Sequence, residues 1–234
     1  FSSEFGAFAD TVMYVDPAGG GQNGDETAYA VCKFLAGKIF VVAVGAVPGG
    51  LDDASLDMLT EVAVKHKPKR ILVEKNFGNG ALGHVWQPKL HKVHLATIED
   101  VWESGQKELR IIDVLEPVIG SGRLIMDLSI LETDKRLCDK YPVEHRASYS
   151  LFYQISRITR DKKALKHDDR IDALAGAVRA FVQVLRQDED KAALAAKNKR
   201  YEELMKDPTG SGRPVKHRVK LNTASMLSRM KRRV

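Results

Sequence analysis

Acidic residues at three distant places in the chain are the ones whose types and spacing could support chemistry. Asp16 ends a short apolar segment, Glu74 ends a second one, and the run Lys166–Leu185 (KHDDRIDALAGAVRAFVQVL) begins with three acids. The three acids of that run are Asp168, Asp169 and Asp172. If the fold brings these carboxylates together, they form an oxygen-rich site of the kind that binds Mg²⁺ or Mn²⁺.

The run Lys166–Leu185 predicts a helix with one apolar face and acids on its flank. At about 100° per residue, one stripe contains Ile171, Leu174, Ala175, Val178, Val182 and Leu185. Acids three or four residues apart repel each other in an isolated helix, so we expect a cation between them. The alternative is that Asp168 and Asp169 cap the helix start, where negative charge is favourable. Asp172 is the first choice as a metal ligand, Asp169 the second, and Asp168 the cap.

The elements that must position these acids indicate an α/β arrangement. The predicted strands are 11–15, 27–35, 38–47, 70–73, 92–96 and 123–127, with a hairpin turn at Ala36–Gly37. The predicted helices are 51–66, 81–90, 106–119, 128–137, 147–158 and the late helix, with charged helical character over 188–205. This order predicts a mixed sheet with helices on both faces. If the first and fourth strands are parallel neighbours, Asp16 and Glu74 emerge at the same edge.

Composition indicates a globular protein without a membrane segment. Of the 234 residues, 44% are hydrophobic, which is enough to form a core. Cys32 and Cys138 lack the spacing of metal ligands, so we expect buried, reduced thiols. No apolar run is long enough to span a bilayer.

The net charge of +6 comes from the carboxy-terminal part of the chain. Residues 191–234 contain 13 Lys and Arg and 3 Asp and Glu, whereas the preceding residues contain 24 and 28. A basic tail is typical of a protein that binds a polyanion or an acidic partner, or of a solubilising extension. We predict a linker or expression-derived segment at 1–9, a folded domain at 10–187 and a partly flexible basic tail at 188–234.

Other possible sites are weaker. The sequence has no G-x-x-x-x-G-K-[ST] motif, so ATP hydrolysis by this chain is not expected. The histidines show no arrangement typical of zinc ligands. Asp25 could reach the metals from the loop before the second strand, although a turn residue is the preferred interpretation.

Four stretches carry a resemblance to a known family. They are VDPAGGGQNGDETAYAV at 15–31, ILVEKNFGNGA at 71–81, LEPVIGSGRLIMD at 115–127 and YSLFYQISRITRDKKALKHDDRIDALAGAV at 149–178. In this order they resemble the nuclease domain of tailed-phage terminase large subunits, most closely the DNA-maturase type of short-tailed phages. The resemblance covers most of residues 10–185.

The resemblance implies a ribonuclease H-like fold that uses two Mg²⁺ or Mn²⁺ ions to cut double-stranded DNA, the viral genome concatemer, during packaging. Transferred residue by residue, it implies as catalytic and metal-binding acids Asp16, Glu74, Asp169 and Asp172, with Asp168 as a further metal candidate. Basic residues near these acids are candidates for contacts with DNA phosphates. They are Lys75, Arg157, Arg160, Lys162, Lys163 and Arg170.

The family also implies partners and a location. Its amino-terminal ATPase motor is missing from this sequence, so we expect cleavage without DNA translocation, and that ATPase domain as a partner in the full-length protein. The portal or prohead is the expected partner of the basic tail. The expected location is the host cytoplasm, transiently at the procapsid and not in the virion. The alternatives are a non-catalytic module that docks on DNA or the portal, and a junction-resolving nuclease of the same fold.

Overall fold

A computed structural model describes residues 8–18, 26–49, 52–75 and 80–206. The strands are β1 (Asp10–Asp16), β2 (Thr27–Leu35), β3 (Lys38–Val47), β4 (Arg70–Glu74), β5 (Thr97–Val101) and β6 (Leu124–Met126). The helices are α1 (Asp53–His66), α2 (Ala81–Leu90), α3 (Lys107–Gly120), α4 (Leu128–Cys138), α5 (Val143–Tyr149), α6 (Leu151–Arg157) and α7 (Asp169–Lys206). The chain divides into two compact units, residues 1–188 and 189–234. Our domain limits stay a prediction, and Asp25 lies outside the described residues.

The strands form one mixed sheet in the order β5-β4-β1-β2-β3-β6. The first three strands pair antiparallel, and a turn with positive φ at Ala36 (50°) and Gly37 (73°) joins β2 to β3. Positive φ at both turn residues matches the twist of a two-residue hairpin. The other pairs, β1 with β4, β4 with β5 and β3 with β6, are parallel. The predicted hairpin is therefore confirmed, and β1 and β4 are parallel neighbours, which is the condition for Asp16 and Glu74 to emerge at the same edge.

Helices cover both faces of the sheet, as predicted, and alternation along the strands decides which residues face which layer. Val12 and Tyr14 of β1 pack with the cluster that includes α3 and α7, whereas Met13 and Val15 pack with α1 and α2. Because side chains alternate with a period of two, Asp16 follows Tyr14 onto the α7 side. Glu74 follows Leu72 of β4 onto the same side. The sheet thus presents both acids to α7.

The first part of α7 is buried on more sides than the predicted stripe requires. Ile171, Leu174, Ala175 and Val178 are fully buried, as expected, but so are Ala173 and Ala177 outside the stripe. Gly176 lies directly against the ring of Tyr14. A Cβ built on Gly176 would lie 2.5 Å from that ring. Small residues therefore let α7 approach β1 closely.

Two local predictions were wrong. The predicted strand at 92–96 lies five residues further on, at β5, because the backbone amides of Val93 and His94 bond back to Leu90 and extend the end of α2. The predicted helix over 147–158 is divided at Ser150, which has extended backbone and donates its hydroxyl to Asp134. Local backbone bonds decide the first case, and a tertiary side-chain contact decides the second.

The predicted burial of the two cysteines agrees with the structure. Cys32 and Cys138 are free and buried. None of the helices in the described part of the chain is long and apolar enough to cross a membrane.

Replacement of Gly176 by Ala tests the close approach of α7 to β1. The added methyl group must displace the Tyr14 ring, and overpacking of this kind costs about 1–3 kcal/mol. We expect a lower urea midpoint for Gly176→Ala. Gly120→Ala is the matched control, because nothing lies within 4 Å of a Cβ at that position. Equal midpoints in the two variants would contradict the packing described here.

Candidate metal centre

Three carboxylates converge at one edge of the sheet from three separate elements. Asp16 ends β1, Glu74 ends β4 and Asp172 lies in the first turn of α7. One oxygen of each lies within 4.8 Å of the others. Glu74 is 8% exposed and Asp172 is 2% exposed, so water screens their charges poorly.

This arrangement is electrostatically costly unless cations enter it. Two carboxylate charges 4.8 Å apart repel each other by about 3.5 kcal/mol at an effective dielectric constant of about 20. Helix α3 supplies the compensating charge. The Lys107 ammonium lies 3.2 Å from Oδ2 of Asp172 and 3.8 Å from Oδ2 of Asp16. Nη2 of Arg110 donates to both oxygens of Asp172, at 2.8 and 3.2 Å.

Burial and the repulsion that these two cations do not offset raise the pKa values of Asp16 and Glu74. Burial raises the pKa of Asp16 well above its ordinary value; Lys107 opposes the shift, and the charges of Asp172, Glu74 and Asp169 add to it. Burial, followed by the charge of Asp172, also raises the pKa of Glu74. Burial by itself lowers the pKa of the Lys107 ammonium, but the surrounding carboxylates reverse this and raise it. Lys107 is therefore charged at neutral pH.

A second layer of polar side chains lies behind the three acids. The Tyr14 hydroxyl lies 3.2 Å from Oε2 of Glu74 and 3.4 Å from Oε1 of Glu103. Glu103 in turn pairs with Arg110 and with Arg179 of α7. These contacts connect β1, β4, α3 and α7 around the site.

The two other acids of the late helix occupy different positions around the cluster. Asp168 immediately precedes α7, and its carbonyl accepts the Asp172 amide at 2.9 Å, which places it at the cap position. Its carboxylate contacts the Lys107 ammonium at 2.9 Å. Asp169 is 7% exposed, and its charge contributes to the raised pKa of Asp16. Both acids therefore lie at the margin of the three-carboxylate cluster.

Five of the six basic residues predicted to contact DNA have accessible side chains. Lys75 directly follows Glu74 and is half-buried, whereas Arg157, Arg160, Lys162 and Lys163 are exposed. Arg160 pairs with Asp113 and Glu116 of α3, an arrangement that attaches the segment before α7 to α3. Whether these residues contact DNA stays a prediction.

Arg170, the sixth basic residue, does not fit the predicted role. Its side chain is 1% exposed and pairs with Asp134 at 2.8 Å and Glu26 at 3.1 Å. A guanidinium enclosed in this way cannot reach a phosphate on the surface. Arg170 is instead a core ion pair that ties the start of α7 to α4 and to the residue before β2.

Sequence reasoning did not name four residues of this site. Lys107, Arg110, Glu103 and Tyr14 all contact the converging acids or their partners. One sequence signal could have identified the first two. Cations in the first turn of a helix are unfavourable next to its dipole, so Lys107 and Arg110 at the start of α3 indicate a nearby anion. The expected cation beside the late-helix acids is present as these two side chains.

The donor set fits a hard divalent cation. Asp16, Glu74 and Asp172 offer only oxygen ligands, and Mg²⁺, Mn²⁺ and Ca²⁺ prefer oxygen, whereas zinc sites usually include His or Cys. A divalent ion would stabilise the ionised carboxylates of Asp16 and Glu74, whose pKa values are raised.

Fold and site together define a ribonuclease H-like domain with a carboxylate cluster at one sheet edge. Residues 15–124 match the family model described as the ribonuclease H-like domain of the bacteriophage T7 terminase. The chain is 36% identical over 210 residues to the terminase large subunit of Enterobacteria phage T3. The alignment covers 90% of this chain but only 36% of the T3 protein. The predicted resemblance to phage terminases is confirmed, and the chain spans about a third of the length of the relative it matches.

One solved terminase nuclease domain shares the fold. The human cytomegalovirus terminase nuclease domain, soaked with Mn and bound to an inhibitor, aligns with a TM-score of 0.55 and 14% identity. The alignment covers 79% of this chain and 88% of the viral domain. A variant nuclease domain of the large terminase subunit of bacterial virus Sf6, with manganese and beta-thujaplicinol, aligns more weakly, with a TM-score of 0.48 and 13% identity over 74% and 89% of the two chains.

The Arg170 assignment can be tested by stability. Arg170→Met leaves Glu26 and Asp134 without their buried cation, and breaking a buried pair in this way costs about 3–5 kcal/mol. We expect a large loss of unfolding free energy in urea. Lys162→Met, an exposed change in the segment before α7, should alter stability by less than about 0.5 kcal/mol. A stable Arg170→Met protein with weakened DNA binding would restore Arg170 as a DNA contact.

The raised pKa of Asp16 predicts that this residue destabilises the protein when no divalent ion is present. Its folded-state pKa is above the unfolded value, so folding stability falls as pH rises from about 4 towards the raised value. Asp16→Asn removes this ionisation. In a chelating buffer at pH 7 we expect the Tm of Asp16→Asn to exceed that of wild type by about 2 °C or more. The difference between the two proteins should be smaller at pH 4. Addition of Mn²⁺ should raise the wild-type Tm more than that of Asp16→Asn; equal shifts would exclude Asp16 as a ligand.

Proposed function

We propose that this domain is a divalent-metal-dependent endonuclease that cuts double-stranded DNA during phage DNA packaging. The observation that supports it most directly is the convergence of Asp16, Glu74 and Asp172 within 4.8 Å. The relationship to the T3 terminase large subunit supplies the biological setting. We assign the domain to the host cytoplasm, transiently at the procapsid, with the viral genome concatemer as substrate.

The three acids are the groups we expect to hold two Mg²⁺ or Mn²⁺ ions, with Asp169 and Asp168 as outer candidates. Such ions, when bound as a pair, stabilise the attacking and leaving oxygens of an in-line phosphoryl displacement and lower the pKa of water. The carboxylates of Asp16 and Glu74 would hold the ions at the ends of β1 and β4. Arg110 and Tyr14 hold Asp172 and Glu74 from behind.

The DNA backbone would approach along the accessible basic residues near this edge. Lys75 adjoins Glu74 in sequence, and Arg157, Lys162 and Lys163 lie in or near the segment that leads into α7. Lysine and arginine contacts to phosphates position a duplex without reading its sequence. The portal or prohead remains our predicted partner for the tail; residues 207–234 lie outside the described residues.

Cleavage of supercoiled plasmid in Mn²⁺ tests the proposed function. We expect wild-type protein to nick and linearise the plasmid, and a chelator to stop the reaction. Asp172→Asn and Asp16→Ala should each lower the rate by about 100-fold or more, because each removes a group that holds the ions. Their circular dichroism spectra should match wild type.

A matched control separates the site from the strand that carries it. Asp10 lies at the opposite end of β1 and pairs with Arg70 of β4 at 3.0 Å. Asp10→Asn should therefore cleave at the wild-type rate. Full activity in Asp172→Asn or Asp16→Ala would exclude this site. Preference for branched over linear DNA would favour a junction-resolving nuclease.

A further inference from the structure

Glu103 is a buried acid outside the three-carboxylate cluster, and it contacts polar side chains of three elements. Its side chain is 5% exposed, two residues after the end of β5. Oε1 faces the Tyr14 hydroxyl of β1, and Oε2 lies 3.5 Å from Nε of Arg110 on α3. Arg179 of α7 also donates to Oε2. A buried carboxylate with this many partners is fixed in position.

One side chain connects Glu103 to Glu74. The Tyr14 hydroxyl lies between the two carboxylates, 3.2 Å from Oε2 of Glu74 and 3.4 Å from Oε1 of Glu103. A phenol hydroxyl between two carboxylates can donate to either of them. Gly176 allows α7 to press against the Tyr14 ring, which holds the hydroxyl in this position.

A second side chain connects Glu103 to Asp172. Arg110 forms an ion pair with Glu103, with Nε 3.5 Å from Oε2, and its Nη2 donates to Oδ2 of Asp172 at 2.8 Å. A guanidinium is planar and rigid, so an acid that holds one side of it also orients the other. Glu103 therefore acts on Asp172 through Arg110, as it acts on Glu74 through Tyr14.

We propose that Glu103 is a positioning residue of the metal centre, which sets the separation of Glu74 and Asp172 through Tyr14 and Arg110. The inference rests on the proposed metal-binding role of those two acids. Groups that orient metal ligands from outside commonly change metal affinity or activity by 10- to 100-fold when they are replaced. Glu103 itself does not touch the reacting atoms and is not a catalytic residue.

The test compares two replacements of Glu103 by their Mn²⁺ affinity. Glu103→Gln keeps the shape of the side chain and removes its charge. Glu103→Asp keeps the charge but withdraws the carboxylate by one methylene from Tyr14 and Arg110. We expect both variants to bind Mn²⁺ about 10- to 100-fold more weakly than wild type in titration calorimetry. Wild-type affinity in Glu103→Asp would mean that charge alone matters, and would overturn the positioning role.

Asp10→Asn is the matched control, since it removes an acid that also joins β1 to β4 but at the far end. It should bind Mn²⁺ as wild type does. The Tm of each variant in chelator reports structural damage separately. A lower Tm for Glu103→Gln with unchanged Mn²⁺ affinity would identify Glu103 as a structural ion pair only, and would overturn the inference.

The Tyr14 connection has its own test. Tyr14→Phe removes the hydroxyl and retains the ring against Gly176. We expect it to weaken Mn²⁺ binding less than Glu103→Gln, because the Arg110 connection survives. In the double variant the two effects should be less than additive, since both act on Glu74 through one hydroxyl. Full additivity would contradict the route through Tyr14.

Metal binding and DNA cleavage separate the failure of this inference from failure of the proposed function. If wild type binds Mn²⁺ and Glu103→Gln binds it weakly, but wild type does not cut plasmid, the nuclease proposal fails and the positioning role stands. If wild type cuts and the Glu103 variants bind Mn²⁺ normally, the positioning role fails alone. A wild-type protein that binds no Mn²⁺ overturns both.

Discussion

The mutual repulsion of carboxylates at one sheet edge is the constraint on which the arrangement around the site depends. Asp16, Glu74 and Asp172 lie within 4.8 Å of one another in a largely buried setting. Helix α3 must therefore dock with its first turn against them, although Lys107 and Arg110 oppose its own dipole. Their contacts with the acids offset that cost. The position of α3 is thus set by charge as much as by its buried Ile111 and Leu115.

Close packing of α7 on the sheet sets the distances at which this charge balance operates. Gly176 allows contact with the Tyr14 ring, and Ala173 and Ala177 are fully buried on the same helix. A larger side chain at these positions would move Asp172 away from Asp16 and Glu74. The Arg170 ion pair fixes the start of α7 from another direction. Core packing and buried charge therefore position the same carboxylate together.

The parts predicted from sequence were those governed by local periodicity. The hairpin, the mixed sheet and the apolar face of α7 follow from alternation and helical spacing, and so do the strand-end positions of Asp16 and Glu74. Strand β5 was misplaced because its exposed edge sequence, TIEDV, alternates poorly. Arg170 was misassigned because a basic residue beside acids is typical of an exposed charged face. Its buried partner Glu26 lies 144 positions earlier in the chain, where local patterns give no sign of the contact.

By itself the sequence indicated the candidate groups: carboxylates at two strand ends and one helix start, in a chain that resembles phage terminases. Only the tertiary structure decided which acid faces the cluster, which cations balance it, and where Glu103 and Tyr14 lie. The physical reason is that periodicity acts over a few residues. Charge pairing acts through space, between side chains such as those of Arg110 and Asp172, which are 62 positions apart in the chain.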